Sequence, residues 1–401
     1  MGDAHVVVLG GGGGVGQVAA RTLAATDDAG RVTVADLSAD AARATVELIG
    51  DDRFESAGVD VSDAAALGRL VEGATVVLNC VGPFYRFGAP TLAAVIDAGV
   101  DYVDVCDDLD ATVAQLELHD RAEAAGVRAV IGMGNSPGLA NIFVKLCDEW
   151  FLDELHTADI MHIHGGEPEE GAAVLKHRIH AMTSDVPLFV DGGFVEVRQL
   201  EESGRAFVKE VDFHGVGRFP AFPYPHPETI TLPRVFPHLQ RATNLGVIFP
   251  LAYFEMTQAL VAAGELDVDG IVAELQRERP RLLAEAGVTG PGGCLKVVVT
   301  GTKGNATHTY EASVFSTEEG AGEGTGIPAG LGTLLSLRGQ LEGGPGVHPP
   351  EAVVPVGPLL DLAADTVATM SVSGGGLPLL LEHVGPDGVR EEIPFSFGTG
   401  S

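Results

Sequence analysis

The run His5-Val-Val-Val-Leu-Gly-Gly-Gly-Gly-Gly-Val-Gly16 supplies the residue types that can hold a pyrophosphate. Val6 to Leu9 is short, apolar and rich in β-branching, the mark of a buried parallel strand. After the five glycines, Val18 to Ala24 has helical spacing. Gly11, Gly13 and Gly16 fit G-x-G-x-x-G, and Gly10, Gly13 and Gly16 fit the looser G-x-x-G-x-x-G equally well. Missing side chains allow a tight turn, close approach of backbone to phosphate, and packing of helix on strand. Gly14, Val15 and Gly16 are expected at the cofactor, where the first turn of the helix offers unpaired N–H groups to the phosphates. Twenty residues past Gly16, the strand Arg31–Ala35 ends in Asp36. A carboxylate there accepts hydrogen bonds from ribose hydroxyls and repels a 2′-phosphate, and no Arg or Lys follows before Arg43. The reading is a dinucleotide site that favours NAD over NADP.

Chemistry beside a nicotinamide needs a positioned proton donor or acceptor. Three residues are expected in catalytic roles: Tyr85 in the loop after the fourth strand, Asp104 at the end of the fifth, and His226. Asp107 shares the Asp104 loop, and Asp104 could instead cap the next helix. Asn79, Val81, Gly82 and Pro83 are expected as cofactor-side contacts, since ligands on parallel sheets sit beyond the carboxyl ends of the strands. Asn135 and Tyr224 are expected at the substrate, and Arg241 as the fork for a substrate carboxylate. Glu228 lies in the same proline-rich stretch as Tyr224 and His226. His162 and His164 share a strand face; with His177 and His180 they could line a metal or substrate site or lie at an interface, and no metal is expected. Cys80, Cys106, Cys147 and Cys294 are too widely spaced for a zinc or disulfide framework; Cys147 and Cys294 read as buried small hydrophobes, and Cys106 could face the nicotinamide but reads first as core.

The elements around these residues alternate. Strands are expected at Val6–Leu9, Arg31–Ala35, Phe54–Val59, Ala74–Asn79, Tyr102–Cys106 and Val127–Ile131. Helices are expected from Ser38 to Ile49, Ser62 to Val71, Thr91 to Ala98 and Asp110 to Ala125. This is α/β, an N-terminal Rossmann doubly wound parallel sheet. From Trp150 the texture changes to an α+β domain on a mainly antiparallel sheet. Its expected strands include His156–His164, Gly193–Gln199, Ala206–Phe213, Ile230–Thr231 and a hairpin of Leu295–Gly301 with His308–Phe315. A loop over Gly320–Gly326 precedes a helix from Pro328 to Leu341, and two peripheral strands are expected beyond Ala364. The expected domains are residues 1–134, residues 135–325, and a C-terminal segment, 326–401, that returns to the first.

The chain has 401 residues, 56 acidic against 24 basic, for a net charge of −32. Such a surface repels nucleic acid and anionic lipid, which argues against both as partners. No apolar run reaches membrane-spanning length and the first strand begins at once, so a cytoplasmic location is expected.

Five segments resemble the saccharopine dehydrogenase-like family of NAD(P)-dependent oxidoreductases. They are GGGGGVGQVAARTLA, VLNCVGPF, AVIDAGVDYVDVCDD, GNSPGLAN and GIPAGLGTLLSLRGQLEGGPGVHPPE. The first is generic to dinucleotide binders, and the combination of the next three is far more specific. The family includes saccharopine reductases, lysine 6-dehydrogenases and carboxynorspermidine-type enzymes. The resemblance implies hydride transfer at a carbon bearing nitrogen in an amino-acid-derived small molecule, and a second domain that closes over substrate and dimerises. Another C=N or C=O reductase, and a regulatory nucleotide binder that has kept the fold, are the alternatives.

Overall fold

The computed structural model describes residues 4–316, 321–370 and 379–394. They form two compact units. The chain passes from the first to the second between Ile142 and Phe143, and returns to the first at Ala321.

The first unit is built on strands β1 (His5–Leu9), β2 (Arg31–Asp36), β3 (Phe54–Gly58), β4 (Val76–Asn79), β5 (Asp101–Asp104) and β6 (Arg128–Val130). A seventh strand, Gly346–His348, arrives from far along the chain. Their order is Gly346–His348, β6, β5, β4, β1, β2, β3, with every neighbouring pair parallel. Strand order reverses between β1 and β4, which creates the crevice where such sheets bind ligands. Helices α1 (Gly14–Ala24), α2 (Ala39–Ile49), α3 (Ala64–Val71), α4 (Phe84–Asp97), α5 (Leu109–Leu116) and α6 (His119–Ala125) connect the strands. β1 and β4 are buried along their whole length, because helices must cover both faces of a parallel sheet. Val7, Leu9, Val77, Leu92, Ile96 and Tyr102 share one apolar core.

The second unit holds β7 (Glu154–Gly165), β8 (Val186–Val190), β9 (Gly193–Val197), β10 (Lys209–Phe213), β11 (Gly217–Pro223), β12 (Arg241–Phe249), β13 (Gly292–Lys303) and β14 (Ala306–Ser316). The sheet runs β10-β11-β12-β7-β13-β14 and continues into Leu379–Val384 and Arg390–Glu392, while the β8–β9 hairpin joins at β12. β7 and β12 are parallel and the other described neighbours antiparallel. Helices Ala172–Thr183, Leu251–Ala263 and Val268–Glu285 add Leu175, Ile179, Phe254 and Leu275 to a core with Met161, Ile163 and Val247.

Several expectations move. Ile230 and Thr231 lie in a helix, Glu228–Val235, because their N–H groups both turn back to the carbonyl of Pro227. The helix expected over Asp110–Ala125 breaks into α5 and α6, and Pro83 sets the start of α4 at Phe84. The loop expected over Gly320–Gly326 is helical from Ala321 onward, and Gly320 lies outside the described residues. The first unit extends past residue 134 to Ile142. There Asn141 accepts from the Gly138 N–H at 2.9 Å and donates to Glu351 at 2.8 Å. The C-terminal segment is shared between the units. Helices Ala321–Leu337 and Val356–Met370 join the first, whereas Leu379–Val384 pairs with the edge of β14. Residues 371–378 and 395–401 lie outside the described residues.

Candidate active site

The glycine turn is built by steric exclusion. Gly10 has φ +73°, a left-handed conformation, and Gly16 packs on it so closely that a Cβ there would sit 2.2 Å from the Gly10 carbonyl oxygen. A Cβ on Gly11 would lie 2.4 Å from Val34 Cγ1. At Gly14 a Cβ would meet nothing within 4 Å, and at Gly13 only the Gly10 carbonyl at 3.5 Å. Gly10, Gly13 and Gly16 therefore carry the turn, the open approach and the helix contact, so the looser spacing matches the geometry. Gly13 precedes α1 without any side-chain cap, which leaves the first-turn N–H groups of Gly14, Val15 and Gly16 for a ligand. A phosphate fits this cradle: open space above two glycines, bordered by oriented donors.

Helix Ala321–Leu337 braces α1 through a stripe of glycine. A Cβ on Gly326 would lie 2.7 Å from the Val15 carbonyl, and one on Gly330 2.6 Å from Thr22. Backbone thus meets backbone along the helix whose N-terminus faces the phosphate position. At the end of β2, Asp36 accepts from the N–H of Gly12 and from that of Ser38, both at 3.0 Å. Each carboxylate oxygen has two lone pairs, so both keep capacity for a ribose hydroxyl.

The carboxyl ends of β4, β5 and β6 form one hydrogen-bonded block. Asn79 is fully buried; it accepts from the Val81 N–H at 3.0 Å and donates to the Tyr102 hydroxyl at 2.9 Å. That hydroxyl donates to Asp104 at 2.9 Å. Asp104 also accepts from Gln115 at 2.6 Å and from the N–H groups of Cys106 at 3.0 Å and Gly132 at 2.8 Å. Burial pushes the Asp104 carboxyl up from the usual range and its four donors pull it back, with a net rise. Asp104 is completely buried with its acceptors committed to loops, so it ties the end of β5 to the end of β6. This corrects the catalytic role expected for it: a proton acceptor must reach substrate. Asn79 likewise shapes the loop with its side chain.

Val81 and Gly82 follow Asn79, and a cis bond joins Gly82 to Pro83. Tyr85 lies in the first turn of α4, 40% exposed, with its N–H bonded to Asp108 at 2.8 Å. Burial raises the Cys80 thiol to about 12 and the Cys106 thiol well above its ordinary value, so neither is a thiolate near neutral pH. Cys106 is core. The Gly132–Gly138 loop closes so tightly that a Cβ on Gly138 would lie 1.9 Å from the Gly134 carbonyl. Inside this loop Asn135 keeps a buried Oδ1 without a hydrogen-bond partner among the described residues.

In the second unit the structure brings His162, Tyr224 and His226 together. The two imidazoles stack with centroids 5.0 Å apart, and the Tyr224 ring meets each edge-on at 5.2 Å. His226 Nδ1 is 3.6 Å from Oε2 of Glu228, whose residue is completely buried. His177 lies farther off, its ring 6.5 Å from that of Tyr224. Burial, then the neighbouring His226 and His164, holds His162 well below its ordinary 6.5. Among the described residues, no three of His162, His164, His177 and His180 bring ring nitrogens within 4.8 Å of one another.

Arg241 is not a free carboxylate fork. Its guanidinium grips Asp159, with Nε 3.0 Å from Oδ1, and the same carboxylate accepts from Thr243 at 2.6 Å and Lys209 at 3.3 Å. That role was hidden because Asp159 stands 82 residues away and meets Arg241 only through the pairing of β12 with β7. Equally hidden is a buried network in which Glu170 is held by Arg178 and by Arg279, the latter at 2.8 Å, with Tyr253 donating at 3.2 Å. Nothing in the spacing of these four residues signals that they meet.

A parallel sheet with a glycine cradle at its switch point and an acidic end to β2 defines a nicotinamide-dinucleotide domain of the oxidoreductase class. Residues 6–130 match the family model described as the saccharopine dehydrogenase NADP binding domain. That match covers the nucleotide-binding part of the chain, and beyond it the chain is similar to dehydrogenases of amine-bearing substrates. It is 25% identical to carboxyaminopropylagmatine dehydrogenase of Synechocystis sp. over 366 residues, covering 83% of this chain and 89% of that one. It is 24% identical to carboxynorspermidine synthase of Vibrio cholerae, covering 82% and 88%. A trans-acting enoyl reductase of Mycobacterium leprae matches at 30% identity, but over 32% of each chain. Among solved structures, saccharopine dehydrogenase (L-Glu forming) of Saccharomyces cerevisiae shares the fold, with TM-score 0.64, 18% identity and coverage of 91% of this chain and 98% of that one.

Proposed function

We propose that this chain moves hydride between NAD and a carbon bearing nitrogen in a small amino-acid- or polyamine-derived molecule. The observation that carries the reading is the uncapped glycine cradle before α1, set in a chain that aligns along most of its length with a carboxyaminopropylagmatine dehydrogenase and a carboxynorspermidine synthase. The match to enoyl reductases is confined to about a third of the chain, so it speaks to the nucleotide and not to the substrate.

The nicotinamide accepts or supplies the hydride when bound. Gly13 and the first-turn amides of α1 hold the pyrophosphate, and Asp36 takes the adenosine ribose. Amine oxidation breaks the C–H bond with its electron pair leaving as hydride. A proton leaves nitrogen, and the C=N bond forms from the nitrogen lone pair. We propose His226, with Glu228 beside it, as the acceptor for that proton, and Tyr85 and Asn135 as residues of the substrate side. Asp36, with no cation before Arg43, supports NAD over NADP, although the family model carries NADP in its description. The acidic surface supports a small-molecule substrate without nucleic-acid or membrane partners, and a homodimer completes the proposal. No described helix is long and apolar enough to cross a membrane.

The test is absorbance at 340 nm in the presence of NAD and a panel of primary and secondary amino-acid-derived amines, with the matching alcohols as controls. Reduction with an amine and none with the alcohols is expected; turnover of alcohols alone would move the chemistry to C–O.

A further inference from the structure

One cluster in the second unit has a composition that the fold does not require. His162 projects from β7, and its register partner on β12 is Gly246. A Cβ at 246 would lie 2.4 Å from the His162 ring, so glycine is what lets the imidazole lie across the neighbouring strand. The ring is thereby fixed in the angle that stacks it on His226 and turns it edge-on to Tyr224. Its Nε2 is buried and has no hydrogen-bond partner among the described residues. A buried imidazole nitrogen without a partner has lost its hydrogen bond to water, and a ligand N–H would restore it. The Tyr224 and His226 rings stand around it, and the buried Glu228 carboxylate lies 3.6 Å from His226 Nδ1.

Taken together, the groups are acceptors, ring faces and one acid. Aromatic faces attract cations through their quadrupole, and a buried carboxylate does so by charge. We infer that His162, Tyr224, His226 and Glu228 form a recognition site for a protonated amine, an alkylammonium group of the substrate. The inference rests on the oxidoreductase reading for its substrate and adds where the cationic end is held. His162 Nε2 accepts an ammonium N–H, Glu228 balances the charge, and the rings exclude water.

The probe is 1,4-diaminobutane, titrated calorimetrically into the full chain, with 1-butanol and butyrate as neutral and anionic controls. Wild type binds the diamine and neither control. His162→Phe keeps the ring size, removes the acceptor and weakens diamine binding about tenfold or more, the worth of one buried hydrogen bond. Glu228→Gln does the same by removing charge, and His162→Gln, which retains an acceptor, binds within about threefold of wild type. Because a core variant can fail to fold, the wild-type imidazole nitrogens are also followed by 15N NMR, where the diamine shifts the His162 Nε2 resonance. No diamine binding by wild type, equal binding in His162→Phe, or tighter binding of butyrate would each overturn the site. NADH binding is measured in parallel: its loss in wild type sinks the oxidoreductase reading, while the diamine result still decides the ammonium site.

Discussion

The carboxylate of Asp36 accepts a hydrogen bond from the backbone N–H of Gly12 at 3.0 Å, linking the end of β2 to the glycine turn. One side chain thus shapes the glycine turn and, in the proposed NAD site, sets the charge where a 2′-phosphate would lie. Asp36→Asn separates the two tasks: its amide oxygen still accepts from Gly12, its NH2 turns to the exposed Ser38 side at the cost of that bond, and the negative charge is gone. Nicotinamide fluorescence titrations are expected to show NADPH affinity rising about tenfold and NADH affinity changing little, as removal of one close like charge suggests. An unchanged NADPH affinity would mean that Asp36 does not face the ribose.

Gly16→Ala should damage the cradle from below. The added carbon meets a carbonyl oxygen at 2.2 Å, with backbone on both sides and no flexible side chain to yield. We expect destabilisation of about 1–3 kcal/mol in a denaturant melt and loss of binding for NADH and ADP-ribose together. Gly14→Ala, placed in open space, is expected to leave stability nearly unchanged.

Asp104→Asn distinguishes a loop tie from a proton acceptor. An amide can keep the Cys106 and Gly132 N–H bonds but sets an NH2 against the Gln115 and Tyr102 donors. The expected cost is about 1–3 kcal/mol of stability, with kcat within about tenfold of wild type. A catalytic base would lose about a hundredfold to ten-thousandfold. A drop of that size in a variant of normal stability would restore Asp104 to the chemistry.

The strands of the parallel sheet and the glycine turn can be read in the sequence because each is signalled by residues a few positions apart. Val6–Leu9 is an apolar run that must be buried, and Gly16 follows Gly10 by six residues. Arg241 misled for the opposite reason. Alone it looks like a free guanidinium, and only the β12–β7 register places Asp159 against it. Asp104 misled because a carboxylate at a strand end looks the same whether it points to substrate or to loop amides. His226 and Tyr224 were chosen from a local proline-rich stretch, whereas His162 joins them from a strand about 60 residues earlier, a contact that only the folded sheet creates.

Acid should weaken the second unit in two stages. Burial depresses His162 and His164 below their ordinary 6.5, so the folded state prefers both rings neutral. Below pH 6.5 the unfolded chain takes up protons that the folded chain resists, and stability falls with pH. Glu170 follows: burial would raise its pKa, but Arg178 and Arg279 more than offset this and hold it below 4.5. Its contribution is present above pH 4.5 and is lost as pH falls through the lower folded value. Thermal melts from pH 8 to pH 4 should therefore show Tm declining below about 6.5 and more steeply below about 4.5. Glu170→Ala leaves two buried guanidinium groups short of their partner and should cost about 3–5 kcal/mol at neutral pH. A Tm unchanged between pH 7 and 5 would contradict the neutral-imidazole account.

The central claim is a nicotinamide dinucleotide bound at the glycine turn with Asp36 on its ribose. The most direct measurement is a titration of the purified full chain with NADH and, separately, NADPH, in high salt, following nicotinamide fluorescence. The account predicts saturable NADH binding with weaker NADPH binding. Failure to bind either nucleotide would contradict it.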